Sequence, residues 1–87
     1  MKENIKVIIY SSSLCAFCYK AKALLIKKNI SYHEINVDDN FDKKQEMITK
    51  SKGRTSVPQI FFGEVHIGGC DDLLYLEKTG ALININE

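Results

Sequence analysis

The chain has 87 residues, which suffices for a single domain over residues 1–87 and excludes a second one. Apolar residues make up 45% and charged residues 26%, a balance typical of a soluble globular protein. The net charge of +1, with acids interleaved among the lysines, gives no electrostatic basis for a nucleic-acid or membrane partner. The start, Met1 to Asn4, leads into a short apolar stretch that Lys6 interrupts, so we expect no secretion signal and a cytoplasmic protein.

The first half of the chain predicts a strand, a helix and a second strand. Residues 5–10, with three aliphatic residues in the middle, are typical of a central strand that is buried on both faces. The serine loop at 11–13 can supply the N-cap of a helix over residues 16–28, which Asn29 ends. Residues 31–37 alternate as in a second strand, and we expect a parallel, right-handed β-α-β unit.

The second half predicts a helix, a β-hairpin and a last helix. These elements are a helix within residues 38–52 that Gly53 stops, strands over 59–62 and 65–67, and a helix over 71–79 before Gly80. Pro58 opens the hairpin, and Gly63 lies in its turn. The order βαβαββα predicts an α/β protein of the thioredoxin type, with a four-stranded mixed sheet and helices on both faces.

Two cysteines, Cys15 and Cys18, enclose two residues at the predicted start of the first helix. The helix dipole and the unpaired N–H groups at this end favour the thiolate, which is the reactive form of cysteine. The same spacing also occurs in zinc sites and structural disulfides. The other candidate zinc ligands are Cys70, His33 and His66. They form no second ligand pair, and a bridge over two residues would restrain the unfolded chain little, so the pattern favours redox chemistry.

Three segments occur together: Cys15-Ala16-Phe17-Cys18, residues 55–61 (TSVPQIF) and residues 66–73 (HIGGCDDL). With them the chain resembles the glutaredoxins, particularly the small bacterial dithiol class, over nearly its whole length. The resemblance implies an enzyme that reduces protein disulfides and glutathione mixed disulfides, with glutathione as the reductant. It also implies that Cys15 is the nucleophile and that Cys18 resolves the mixed disulfide.

The resemblance further implies a glutathione-binding site. Its residues are Phe17, Ser56, Val57, Pro58, Gly69, Cys70, Asp71 and Asp72. A cis Val57-Pro58 bond would offer the Val57 backbone to glutathione as an added strand. Asp71 would pair with the amino group of glutathione, whereas Asp72 is also suited to cap the last helix. Cys70 is expected to contact glutathione through its backbone, with a third redox thiol as the alternative.

Two departures from the family pattern carry consequences. The family often has a lysine shortly before CxxC, where this chain has Ser11 to Leu14. The cations that could replace it are Lys20, Lys50, Lys52 and Arg54. Ala16 stands where the family commonly has proline. Without the rigid proline ring beside the nucleophile, a second subunit and a metal cluster could approach, which allows a second function. In that alternative the chain is a carrier of a [2Fe-2S] cluster held by Cys15 and glutathione between two subunits.

The leading interpretation needs no metal and no second subunit, so we expect a monomer. Its partners would be glutathione and proteins that carry disulfides or glutathione adducts. A thioredoxin-like protein that a reductase recharges directly is a further alternative, although the Gly-Gly-Cys-Asp-Asp segment at 68–72 argues for glutathione.

Overall fold

The computed structural model describes residues 5–84, which form one mixed sheet with helices against both faces. The strands are β1 (Val7–Ser11), β2 (His33–Asn36), β3 (Gln59–Phe62) and β4 (Val65–Gly68), and the helices are α1 (Ala16–Lys27), α2 (Phe41–Lys50) and α3 (Cys70–Lys78). A short 3₁₀ helix, Ala81–Asn84, follows α3 and had no counterpart in the sequence-based prediction. The strand order is β2-β1-β3-β4, with β1 parallel to β2 and the other pairs antiparallel. The predicted thioredoxin-type fold is therefore confirmed.

Two apolar clusters fill the two sides of the sheet. Val7 and Ile9 of β1 pack with Leu25 of α1 and Leu73 of α3 on one side. On the other side a second cluster contains Tyr10 and Phe61 from the sheet and Met47 from α2. Successive residues of a strand point to opposite faces, so β1 contributes to both clusters and is the buried central strand that its aliphatic run predicts.

Most element boundaries differ from the prediction by one or two residues. β1 ends at Ser11, β2 is confined to His33–Asn36, and α3 begins at Cys70. The prediction about Met1 to Asn4 lies outside the described residues. Within residues 5–84, no helix is long and apolar enough to cross a membrane.

The expectation that the serine loop caps α1 was wrong. Ser11 belongs to β1, is fully buried and donates its hydroxyl hydrogen to Glu34 on β2. The N-cap residue is Cys15, whose sulfur accepts a hydrogen bond from the backbone N–H of Cys18. The serines do not cap α1 because Ser11 is the last residue of strand β1, and residues 12–14 connect this strand to the start of the helix.

Candidate active site

Cys15 lies at the N-terminus of α1 and is the accessible sulfur of the pair. Its backbone is extended (φ −143°, ψ 105°), so the side chain turns back over the first turn of the helix. Its Sγ lies 3.1 Å from the backbone nitrogen of Cys18 and 3.8 Å from the carbonyl oxygen of Val57. The half-buried sulfur thus stands between the positive end of a helix dipole and the loop before β3.

Cys18 lies one turn further along α1 and is completely buried. Burial, followed by its hydrogen bond with Cys15, raises the pKa of Cys18 to about 12. A hydrogen bond from the Ser12 backbone acts in the opposite direction. All three cysteines of the chain are free thiols in this structure, so the pair is in the dithiol state. In that state Cys18 holds its proton at neutral pH, and Cys15 is the sulfur that an incoming disulfide meets first.

An open groove of about 180 Å³ is bordered by Val57, the residue whose carbonyl oxygen lies 3.8 Å from the Cys15 sulfur. It is lined by Phe17, Arg54, Ser56, Val57, Pro58, Gly69, Cys70, Asp71 and Asp72. The structure therefore brings together all eight residues of the predicted glutathione site, from α1, the loop before β3 and the start of α3. The Val57-Pro58 peptide bond is cis, as the resemblance implies.

The start of α3 forms one wall of this groove. Gly69 is the N-cap residue, and its backbone N–H donates to Asp72 Oδ2 at 3.0 Å. Asp72 thus makes the expected capping contact while it also borders the groove. Cys70, the first residue of the helix, is 5% exposed, and burial raises the pKa of its thiol. This environment favours the protonated, unreactive form of Cys70.

Among the four cations that could replace the missing lysine, Arg54 lines the groove. Lys50 instead lies 3.9 Å from Glu46 and borders a separate cavity beside β1 and β3. The Lys20 charge acts on Cys70, where it opposes the effect of burial. Arg54 is therefore the one of the four that lines the groove, where it could bind a carboxylate.

A buried glutamine connects this groove to the hairpin behind it. Gln59, fully buried at the start of β3, donates from Nε2 to the Ser56 backbone oxygen at 3.0 Å. Its Oε1 lies 2.7 Å from His66 Nε2, and the His66 ring stacks on Phe61 with centroids 4.8 Å apart. Neither His33, exposed on β2, nor His66 lines the groove, in keeping with their predicted role as strand residues. A polar residue inside the apolar run 59–62 was the sequence signal for this link.

We expect Gln59→Leu to lower the free energy of unfolding by about 1–3 kcal/mol, because it leaves the Ser56 carbonyl and the His66 ring without their partner. Urea unfolding followed by far-ultraviolet circular dichroism measures the loss. His66→Phe tests the same link from the other side: it keeps the stack on Phe61 but leaves the buried Gln59 Oε1 without its partner, so it should also lower the free energy of unfolding. Equal stability of Gln59→Leu and the unmodified protein would contradict this role.

The loop before Cys15 is held by an acid that the sequence analysis missed. Asp38 accepts hydrogen bonds from Ser12 Oγ at 2.7 Å and from the Ser13 backbone N–H at 2.9 Å. These bonds, the backbone one first, lower the pKa of Asp38. Asn36 donates to Ser13 Oγ at 3.0 Å. The segment between β1 and α1 is thereby tied to the end of β2, which fixes where Cys15 begins the helix.

A thioredoxin-type sheet, a free dithiol at the start of its first helix and a proline loop opposite the first sulfur define a thiol–disulfide oxidoreductase. The comparisons with known proteins identify the family. Residues 7–67 match the family model described as Glutaredoxin. The chain belongs to the glutaredoxin family, which supports a glutathione-dependent redox function.

Relatives and solved structures agree with this assignment. The chain is 50% identical to Glutaredoxin 1 of Rickettsia prowazekii over 82 residues, which cover 93% of this chain and 86% of that protein. It is similar to the solution structure of glutaredoxin from Brucella melitensis, with a TM-score of 0.80, 40% identity and coverage of 99% and 96%. It is also similar to buckwheat glutaredoxin in a complex with glutathione, with a TM-score of 0.81, 28% identity and coverage of 93% and 76%.

Proposed function

We propose that this protein reduces protein disulfides and glutathione mixed disulfides, with glutathione as the reductant. The observation that carries the proposal is the groove that Val57 lines, because the Val57 carbonyl oxygen lies 3.8 Å from the Cys15 sulfur. A ligand in this groove would have its thiol next to Cys15. The buckwheat relative was crystallised with glutathione, which supports the same ligand here.

The charges around the groove complement those of glutathione, which carries two carboxylates and one ammonium group. Arg54 would bind one carboxylate, and the backbone N–H groups at the start of α3 would bind the other. Asp71 would pair with the ammonium group. The Val57 backbone would pair with the extended tripeptide in the manner of an added strand.

The reaction would begin at Cys15. Its thiolate attacks one sulfur of the substrate disulfide, a bond forms between the two sulfurs, and the other substrate sulfur leaves with the electron pair and takes up a proton. The resulting mixed disulfide can be resolved by either of two reactions. A glutathione thiolate can attack it from the groove, or Cys18 can attack Cys15 and close an intramolecular disulfide that glutathione later reduces.

We expect Cys18→Ser to distinguish resolution by glutathione from resolution by Cys18. Removal of glutathione from a glutathionylated peptide needs only Cys15 and a second glutathione, so this activity should persist. Reduction of a protein dithiol-disulfide should fall about tenfold or more, because the internal resolving thiol is lost. Both rates are measured with glutathione in excess, by release of the peptide thiol and by loss of the protein disulfide. A Cys18→Ser protein that cannot deglutathionylate the peptide would overturn the assignment of Cys15 and Cys18.

We also propose that the protein works in the cytoplasm as a monomer on disulfide-containing or glutathionylated proteins. A reducing compartment suits a chain with three free thiols. The alternative of a [2Fe-2S] carrier stays a prediction. Anaerobic reconstitution with iron, sulfide and glutathione tests it, since a carrier should yield a coloured dimer that Ala16→Pro weakens.

A further inference from the structure

A second depression, of about 610 Å³, lies beside the loop that leads to Cys15. It is bordered by Ser12 of this loop, by Phe41 at the start of α2 and by Val57. Val57 also borders the groove, and its carbonyl oxygen lies 3.8 Å from the Cys15 sulfur. The depression, which we call the Phe41 pocket, thus shares with the groove the residue whose backbone contacts the nucleophile.

The walls of the Phe41 pocket are held by hydrogen bonds. Asp38, another wall residue, accepts hydrogen bonds from Ser12 Oγ at 2.7 Å and from the Ser13 backbone N–H at 2.9 Å. Asn40, also in the wall, caps α2, because its side chain accepts a hydrogen bond from a backbone N–H of the first turn at 3.1 Å. The pocket is therefore pre-formed, and Phe41 is presented from the first turn of a capped helix.

The apolar residues of the Phe41 pocket include two that belong with the core and one that does not. The buried Val37 is part of the apolar cluster that contains Met47 of α2, and Val57 packs against this cluster. Phe41, in contrast, is 74% exposed. Among the side chains that the structure describes, the two most exposed large apolar ones are Phe41 and Leu14, which directly precedes Cys15. Apolar surface that is exposed beside a reactive sulfur is typical of a surface that a partner covers.

A mixed disulfide with a protein substrate brings a polypeptide against this surface. In a disulfide the two Cα atoms lie only about 4.4–6.8 Å apart. The substrate residues next to the reacting cysteine must therefore pack against the residues around Cys15. Glutathione has one residue on each side of its cysteine, and in the proposed function the groove accommodates both. A polypeptide continues beyond these positions, and the Phe41 pocket begins at Val57, next to the Cys15 sulfur.

The charges of the Phe41 pocket favour some substrate side chains over others. Two carboxylates, Asp38 and Asp39, and one ammonium group, that of Lys44, line the pocket. An acidic side chain of the substrate would meet more negative than positive charge there. An aromatic or aliphatic side chain would instead bury apolar surface against Phe41 and extend the apolar cluster outwards.

We propose that the Phe41 pocket receives an aromatic or aliphatic side chain that neighbours the reacting cysteine of a protein disulfide, so that disulfides with apolar neighbours are the preferred protein substrates. The inference rests on the proposed function, in which Cys15 forms a mixed disulfide with the substrate. In that step the Cys15 thiolate bonds to one substrate sulfur, and the bond between the two substrate sulfurs breaks. The second sulfur leaves with the electron pair and takes up a proton, so Cys15 is oxidised and the departing sulfur is reduced.

The experiment compares two synthetic peptides, each closed by one disulfide, that carry phenylalanine or serine on both sides of each cysteine. The kcat/KM of reduction is measured for both with glutathione in excess. We expect the unmodified protein to prefer the phenylalanine peptide about tenfold, because a large apolar side chain leaves water in the complex. Phe41→Ser should lower kcat/KM for this peptide about five- to tenfold and leave the serine peptide unchanged. Phe41→Leu keeps an apolar side chain and should retain most of the preference.

Three controls separate this effect from general damage to the site. The mixed disulfide of glutathione and mercaptoethanol is a substrate without a polypeptide, and its kcat/KM should be the same in Phe41→Ser and in the unmodified protein. Tyr75→Ser is the matched variant, because Tyr75 is an aromatic residue of α3 that is 65% exposed and borders neither the groove nor the Phe41 pocket. It should keep the full preference. The rate with glutathione alone corrects for any difference in reactivity between the two peptides.

The inference would be overturned by equal kcat/KM values for the two peptides in the unmodified protein, by an unchanged preference in Phe41→Ser, by an equal loss of preference in Tyr75→Ser, or by an equal slowing on the mercaptoethanol mixed disulfide. A dimer of the unmodified protein that Phe41→Ser dissociates, detected by analytical ultracentrifugation, would also overturn it, since a second copy would then cover the pocket. A failure of the proposed function would look different, because the unmodified protein would then reduce neither the peptides nor the mercaptoethanol mixed disulfide.

Discussion

Cys15→Ser should abolish both deglutathionylation and protein-disulfide reduction, with rates at least about a thousandfold below those of the unmodified protein. Cys15 is the accessible sulfur of the pair, and its partner Cys18 is completely buried with a raised pKa. Cys70 is buried at the start of α3, where its pKa is raised as well. A hydroxyl group stays protonated at neutral pH and leaves poorly from any adduct, so serine cannot replace the thiol.

The fold should survive this substitution, because serine is itself a favourable N-cap residue and its hydroxyl oxygen can accept the Cys18 backbone hydrogen. The two activities are measured with glutathione in excess, and urea unfolding of the same samples provides the control. An inactive protein with unchanged stability is the expected result. Activity that survives in Cys15→Ser would show that another thiol is the nucleophile.

Gly68→Ala should have the largest effect on stability among the substitutions considered, about 2–4 kcal/mol. Gly68 ends β4 with φ at +120°, a region that residues with a Cβ rarely adopt. A Cβ at this position would also lie 2.6 Å from Asp72 Cγ and would push away the carboxylate that caps α3. The wall of the groove formed by α3 would shift, so the KM for glutathione should rise together with the loss of stability.

Gly53→Ala is the matched control, since Gly53 has φ at +103° and nothing within 4 Å of the added Cβ. It should cost about 1–2 kcal/mol through backbone strain alone. Urea unfolding of both variants isolates the contribution of the collision with Asp72. If Gly68→Ala were no more destabilising than Gly53→Ala, the tight packing of Gly68 against Asp72 would be disproved.

The sequence predicts the sheet well because its signals are local. The aliphatic run of β1, the Gly63 turn and the helical spacing in α1 are each complete within a few residues, and together they define the element order. The parallel pairing of β1 with β2 follows from the β-α-β unit, whereas the pairing of β1 with β3 was not predicted. The glutathione-site residues come from three separate segments, and only the family resemblance indicated that they meet.

What the sequence did not predict depends on pairs that are distant along the chain. Ser11 and Glu34 are joined across β1 and β2, and Asp38 reaches back to the serine loop. Periodicity assigns a residue to a face but does not identify its partner on another element, so these contacts had no local signal. The capping of α1 by Cys15 was missed for the same reason, because it depends on where β1 ends.

The sulfur of Cys15 has two roles: it is the proposed nucleophile, and it accepts the N-cap hydrogen bond of α1. A sulfur in a disulfide has no charge and accepts hydrogen bonds more weakly than a thiolate, so oxidation of Cys15 takes stabilisation away from the first turn of α1. The stability of the first turn of α1 and the redox state of the cysteine pair are therefore thermodynamically linked. An interaction at the start of α1 that is stronger in the dithiol state than in the disulfide state, as this hydrogen bond is, therefore makes the disulfide state a stronger oxidant.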